Sequence, residues 1–527
     1  MLIFGKKFNF SALFWFLFYL LIFVALLENS YSHLDPDMGW HLKAGRHIAR
    51  SGEVSRENLY NYTFSGEWIN HEWLVDWISF EVYDNLGYLA LSILFALVIV
   101  CLLVIVNIST RRLANKPIAI AIIQLLGLYA SLPHFGIRMQ EFSVLFLFLE
   151  LNIINAFRQE QKWRQLLWLL PLFLIWVNFH GSFFFGLAIF VFWLIVELLG
   201  KSLMGIKKLG LYFQVRNLTN KDLFVAIIFF ALTFLITLIN PYGLDLYSFL
   251  IDYKNTAYLN LIDEWLPLYS FPIGYLKIIY LGFLSGAWIL YIYEVLREKK
   301  DRIDWWQLSL FILFLVLSFK SKRNFPLAFI ATFPYFIKIL AGLFDWKKIK
   351  SMVYGKKIEY LLFFCLLLSI VSLSVSIPFN KNPFNEFCSS YPCGAVKFLQ
   401  SNKQYDDYRI FNEYGWGGYL IWVYPERQLF IDGRLPQVSF AGKTFIEEYK
   451  EFFIKEADRD GKLSEHDIRL VLLRAKDLPL NIKKWEKIFF RITDEDLIVE
   501  NHLRKYLNES PDWEIIYQDE VAVIYKK

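Results

Sequence analysis

Residues 8–27, FNFSALFWFLFYLLIFVALL, lead through ENSYSHL into Asp35-Pro36-Asp37-Met38-Gly39-Trp40-His41. A helix needs about 20 apolar residues to cross the hydrocarbon core of a bilayer, and this run has that length. Lys6 and Lys7 precede it, and no small-residue cleavage motif comes before Glu28. The run therefore reads as a retained first span, a signal anchor, and not as a cleaved leader. Two carboxylates at the outer mouth of such a helix are costly to hold near lipid. They mark the first polar loop as the place to look for chemistry.

The rest of the chain agrees with a membrane setting. Of its 527 residues, 56% are hydrophobic and 19% aromatic, against about 45–50% apolar in soluble domains. Runs of spanning length fall near 8–27, 78–106, 117–134, 139–157, 166–179, 182–200, 222–239, 273–296, 304–319, 325–343 and 358–377. The sequence thus predicts a polytopic α-helical membrane protein with about 11 transmembrane helices. Lys6/Lys7, Arg111/Arg112, Arg158/Lys162, Lys201/Lys207/Lys208, Arg297/Lys299/Lys300 and Lys347/Lys348/Lys350 all fall on one side of that arrangement. The positive-inside rule makes that side cytoplasmic, with the N-terminus. The first loop, 28–77, and the C-terminus are then outside. The net charge of +5 is spread through these short loops, so nothing resembles a nucleic-acid-binding stripe.

Residues 378–527 differ in composition. They hold 25 of the 50 acidic residues and no spanning run, which predicts an extracytoplasmic α/β domain following the transmembrane domain of 1–377. A helix is expected over 394–402. Strands are expected at Arg409–Asn412, Gly418–Val423, Gln428–Ile431 and Ile468–Leu473, and a hairpin at Ile515–Tyr517 and Val521–Tyr525. Cys388 and Cys393, in CSSYPC, read as a small-loop disulfide on an oxidising side. Cys101 and Cys365, inside apolar runs, read as packing residues.

Several constellations could carry chemistry. Pro36 biases Asp35 toward extended backbone, which would put the carboxylates of Asp35 and Asp37 about 6–7 Å apart. Such a pair can coordinate a divalent metal, or one member can act as a general base. Trp40, His41 and Arg46 follow, and Trp68, His71, Glu72 and Trp73 set a further acid among indoles. The plainer alternative is a solvated loop helix with tryptophans at the interface. Arg138, His180, Asp263, Glu264 and Arg323 lie at outer ends of later spans or in outer loops in this topology, where ionisable groups are often functional. His180 beside Asn178 could instead cap a helix, and Asn240-Pro-Tyr-Gly243 reads as a helix stop with a turn. Asp432 and Arg434, in FIDGR, read as a structural ion pair. Glu456–Asp467 has EF-hand-like spacing, but Glu at its first position and Asp at its twelfth weaken a Ca²⁺ site.

In order, DPDMGWHLKAGRHI, NHEWLVDWI, WVNFHGSFFFG, INPYG, IDEWLP, KRNFPLAFI, YGWGGYLIW and FIDGR resemble bacterial polytopic proteins related to the C-type (GT-C) glycosyltransferases. That class includes dolichyl-phosphate-mannose-dependent mannosyltransferases, the aminoarabinose transferase of lipid A and the oligosaccharyltransferase catalytic subunit. The resemblance implies a GT-C-like fold in a bacterial inner membrane. It also implies transfer of a sugar from a polyprenyl-phosphate-linked donor to a lipid, glycan or protein acceptor. An acid of the first outer loop acts as base or metal ligand in that class, which maps onto Asp35 or Asp37, with Glu72 as a second acid. A divalent metal, Mg or Mn, at Asp35 and Asp37 is left open. From their chemistry and placement, and not from the resemblance, Trp40, His41, Arg46, His71, Asp263 and Glu264 would line the substrate, and Arg138, His180 or Arg323 would hold the departing phosphate. The oligosaccharyltransferase WWD-type phrase is missing from the C-terminal segment, which speaks against protein N-glycosylation. The rival readings are a polysaccharide polymerase or ligase, and a non-enzymatic lipid-linked-sugar transporter or assembly scaffold.

Overall fold

The computed structural model describes the chain except residues 1, 4–5, 8–9, 65, 205–210, 217, 253–258, 260–261, 299–301, 347–355, 380–381, 435–437, 441–442, 455–457, 478–481 and 494–499. Lys207, Lys208, Lys299, Lys300, Lys347, Lys348, Lys350 and Glu456 lie outside the described residues.

In chain order the principal helices begin with α1 (Phe10–Ser32), α2 (Met38–Ser51), α3 (Trp73–Leu113), α4 (Pro117–Ser131), α5 (Gln140–Glu160), α6 (Leu169–Phe179) and α7 (Phe183–Met204). They continue with α8 (Asn220–Ile236), α9 (Asp245–Asp252), α10 (Tyr275–Glu298), α11 (Trp305–Lys320), α12 (Phe325–Leu343) and α13 (Lys356–Ser376). The C-terminal segment adds α14 (Cys393–Ser401), α15 (Gly417–Val423), α16 (Phe445–Glu451), α17 (Arg459–Glu465), α18 (Lys484–Phe490) and α19 (His502–Glu509). Its strands are β1 (Arg409–Asn412), β2 (Ile468–Arg474), β3 (Glu514–Gln518) and β4 (Ala522–Lys526).

Two compact units result. Met1–His33, Leu89–Ile239 and Tyr275–Asn380 form the first, and Leu34–Tyr88, Asn240–Gly274 and Lys381–Lys527 form the second. The first is helical because lipid offers peptide groups no hydrogen-bond partner, so each apolar run must satisfy its own backbone. Among the described residues, seven helices are long and apolar enough to cross a membrane. The chain is a multi-pass membrane protein. The runs at 166–179, 222–239, 304–319 and 358–377 fall on the shorter α6, α8 and α11 and on α13. Trp176, Trp193, Trp288 and Trp306 are fully buried between these helices, while Phe224, Phe283, Ile289 and Val316 point outward. Arg158 is buried with two acids, Glu197 (2.5 Å) and Asp304 (3.1 Å), and Asp304 also caps α11 through the Trp306 N–H. Cys101 and Cys365 are exposed on their helices, not packed.

α3 is interrupted at Gly87, whose φ of 80° and ψ of 179° are not helical. A straight helix of 41 residues would be about 60 Å long, twice the hydrocarbon thickness. The stretch before the break belongs to the second unit.

The second unit centres on a sheet of order β1-β2-β4-β3. β1 and β2 are parallel, and the other pairs are antiparallel. Phe411, Phe430, Phe445, Phe452, Val471 and Val523 make its core. The first outer loop from Leu34 onward is part of this unit: the Leu429 N–H donates to Tyr60 O (2.9 Å) and the Thr63 hydroxyl to Phe430 O (2.6 Å). Two strand expectations need correction. Gly418–Val423 is helical, as α15, because its apolar run is buried and such short runs fit a buried helix as well as a strand. Gln428–Ile431 forms only isolated bridges through Leu429, to Asn61 and Ile410. Cys388 and Cys393 are disulfide-bonded.

Candidate active site

Asp35 and Asp37 stand at a turn, not along an extended strand. Asp35 Oδ1 accepts the Asp37 N–H (2.9 Å), and Asp35 O accepts that of Met38 (3.2 Å). Asp37, with φ −90° and ψ −16°, is the N-cap of α2. Proline fixes its own φ and restricts the residue before it, not the one after, so Asp37 is free to turn, and the Asp35 side chain closes that turn as Asp commonly does. Both carboxylates are half-buried. A carboxylate at this position is favoured by the positive end of the helix dipole.

The turn is held by close backbone approach. A Cβ on Gly39 would overlap the Gly418 carbonyl, and one on Gly418 would overlap that of Pro36. A Cβ on Gly433 would collide with the Asp37 carboxylate. The glycines of YGWGG and FIDGR thus let α15 and the Asp432–Arg434 turn press against the start of α2. Tyr391, within the disulfide loop, donates to Leu34 O (3.1 Å) and packs on Tyr419. Burial, and after it the negative charges of Asp35 and Asp37, push the Tyr391 phenol well above its ordinary pKa.

Beneath the turn lies a buried polar cluster. His41 Nδ1 is 2.6 Å from Asp76 Oδ1, and Asp76 Oδ2 accepts the Asn70 side-chain N–H (2.9 Å). Asn70 also accepts the Glu72 N–H (3.1 Å), and its own N–H donates to the Tyr242 hydroxyl (3.0 Å). Glu72 Oε2 is 4.0 Å from a nitrogen of His41 and 4.0 Å from one of His71. Burial opposes charge on His41, but Asp76, Glu72 and Asp37 outweigh it and raise its pKa to about 9. Arg434 makes two bonds to Asp432, from Nε (2.9 Å) and Nη2 (2.8 Å), with both side chains fully buried. Its Nη2 also donates to Asn58 and Asn61, and its guanidinium lies over Tyr60 and Trp68. Trp40 stacks on His41 at 3.6 Å and meets Trp68 edge-on. The arrangement is a rigid base of fixed charges under two half-buried acids, the pre-organisation that a reacting carboxylate needs.

Asp35, Asp37, Trp40, His41, His71 and Glu72 therefore gather in one unit. Arg46 belongs to that unit too, stacked over Trp422 at 4.0 Å. Asp263 and Glu264 lie in a turn of the same unit, Asp263 exposed. Arg138, His180 and Arg323 are residues of the helical unit. There His180 Nδ1 accepts the Ser182 N–H (3.0 Å) at the start of α7, a capping contact, and the Arg323 N–H donates to Ser321 Oγ (3.3 Å). Asn240-Pro-Tyr-Gly243 is a turn, with Gly243 at φ 56°. Sequence reasoning missed Asp76, Asn70, Tyr242 and Tyr391. Asp76 and Asn70 stand in the quoted phrase NHEWLVDWI, where Asp76 is one helical turn after Glu72.

Among the described residues, no group of three or more His, Cys, Asp or Glu side chains is placed to hold a metal. A cation at Asp35 and Asp37 would have to draw further oxygen ligands from a substrate.

Solved structures similar in fold include the following two. Both are of the Archaeoglobus fulgidus oligosaccharyltransferase. The apo form gives a TM-score of 0.54 at 12% identity, covering 89% of this chain and 70% of that one. The form tethered with an acceptor peptide containing the NVT sequon gives 0.51 at 11%, covering 87% and 69%. The chain shares the oligosaccharyltransferase fold. No protein-family model matches the chain, nor does any curated protein sequence.

Proposed function

We propose that this protein is a glycosyltransferase of the bacterial plasma membrane. It takes a sugar from a polyprenyl-phosphate-linked donor and passes it to a lipid, glycan or protein acceptor on the outer face. The observation that carries this reading is the Asp35–Asp37 turn, two half-buried carboxylates at the start of α2 on a buried base of paired charges. Fold supports it only as context, because one fold hosts many chemistries.

In this reading Asp37 or Asp35 orients the acceptor hydroxyl and takes its proton. The acceptor oxygen bonds to the anomeric carbon as the bond from that carbon to the phosphate oxygen breaks, and the polyprenyl phosphate leaves with the electron pair. A phosphate leaving group needs little protonation, so no strong general acid is required. Positive charge is still needed where the phosphate departs, and Arg138, His180 and Arg323 keep that assignment on sequence grounds. A divalent cation bound at Asp35 and Asp37 would add positive charge at the acid turn. Tyr391 positions the turn from behind.

The test is incorporation of radiolabelled sugar from a panel of polyprenyl-phosphate donors into membranes holding the wild type, Asp35→Ala or Asp37→Ala at matched expression. Loss of about a hundred-fold or more in at least one variant is expected, the scale of a missing general base. Equal incorporation in all three, or none above empty membranes, overturns the reading.

A further inference from the structure

α18, KWEKIFF, is built inside out for a helix in water. Its one acid, Glu486, is fully buried, and it accepts the N–H groups of Ile273 and Lys483, each at 2.7 Å. Its apolar side chains point outward: Ile488 is 72% exposed, Phe489 74%, Phe490 44% and Trp485 42%. Phe271, itself exposed, packs edge-on against Phe490 at 5.2 Å, and Tyr269 is exposed beside it in sequence. A surface helix ordinarily turns its apolar stripe to the core and its charges to water. A contiguous patch of exposed aromatic and aliphatic side chains on a folded unit marks a binding surface. Seven residues are too few to hold a helix by propensity alone, so the two bonds to Glu486 fix this helix with its apolar face outward.

The chemistry around the patch selects the partner. Lys483, Lys484 and Arg491 are exposed at its edges, with Lys487 half-buried. Aromatic side chains rimmed by cations match the boundary between anionic lipid headgroups and acyl chains. The chain carries its own membrane-spanning helices, so a bilayer is always within reach. We propose that α18 and Phe271 form an interfacial anchor, seating the second unit on the lipid surface through Ile488, Phe489 and Phe490. The anchor is independent of the transferase reading and would hold under any activity of the chain.

The test uses the full chain with Cys101 and Cys365 replaced by serine and the Cys388–Cys393 disulfide kept. It is reconstituted in nanodiscs of phosphatidylethanolamine and phosphatidylglycerol. A nitroxide is attached at Phe489→Cys or, as the water-exposed control, at Glu520→Cys. Collision rates with oxygen, which concentrates in lipid, are compared with those of a water-soluble nickel chelate. Immersion gives an excess of oxygen over nickel collisions at position 489 and the reverse at position 520. Water-like ratios at both positions overturn the proposal. So does exclusion of both reagents from position 489, which would mean that protein covers the face. Since residue 489 is mostly exposed, its replacement leaves the core intact, and the control label reports on folding of the same unit.

Discussion

His41 is the residue through which pH reaches the cluster. Its side chain is buried against Asp76, and its pKa rises from 6.5 to about 9 because the charges of Asp76, Glu72 and Asp37 outweigh the penalty of burial. A folded-state pKa above the unfolded value means stabilisation that is complete below the unfolded value and lost as pH climbs through the folded one. Thermal unfolding of the purified protein should therefore show a loss on the order of 3 kcal/mol between about pH 6.5 and pH 9. His41→Gln should be less stable at pH 6 and should flatten that dependence. An unchanged slope in the variant would mean that the charge resides elsewhere. Arg434 sits in a comparable state, with Asp432, Asn58 and Asn61 satisfying a buried guanidinium. The ion pair was legible in the two-residue spacing of FIDGR. The His41–Asp76 pair was not, because 35 positions separate them and no local pattern links a helix start to the first turn of another helix.

At the scale of elements, the contact that decides the site is α15 on α2. It is a backbone-to-backbone approach with no room for side chains at Gly39 and Gly418. Gly418→Ala should force the Asp35–Asp37 turn outward, at a cost of about 1–3 kcal/mol typical of overpacking, with transfer activity lost alongside. Gly286→Ala in α10, where a Cβ would meet nothing, should be neutral or gain up to about 1 kcal/mol from helix propensity. Unfolding midpoints and incorporation assays on the two variants separate these outcomes, and equal behaviour would contradict the packing argument. In sequence alone Gly418–Val423 reads as a strand, because an unbroken apolar run carries no period. What settles it as a helix is tertiary, the burial of Tyr419, Leu420 and Ile421 together.

For the whole molecule, the charge distribution predicts sidedness. By the positive-inside rule, basic residues such as Lys116 are expected in cytoplasmic loops, and Glu520, in the turn of the C-terminal hairpin, is expected outside. In intact cells, a membrane-impermeant thiol reagent should label Glu520→Cys and spare Lys116→Cys until the cells are broken, with Cys101 and Cys365 removed in both. The opposite pattern would invert the topology and move the acid turn to the cytoplasmic side.

What the sequence by itself determined is the local part: apolar runs long enough to span, β1 and the hairpin of β3 and β4, the disulfide loop, and the acid pair after the first span. Each follows from length, period or spacing within about 20 residues, and water and lipid read those properties without knowing the rest of the chain. What only the tertiary structure decided is the company those residues keep. The first outer loop shares a unit with the C-terminal sheet, Tyr60 pairs with Leu429, and His41 finds Asp76. Those contacts depend on closing loops of tens to hundreds of residues. Their outcome is set by which buried polar groups can satisfy one another once the apolar faces have packed, and no window of sequence contains that information.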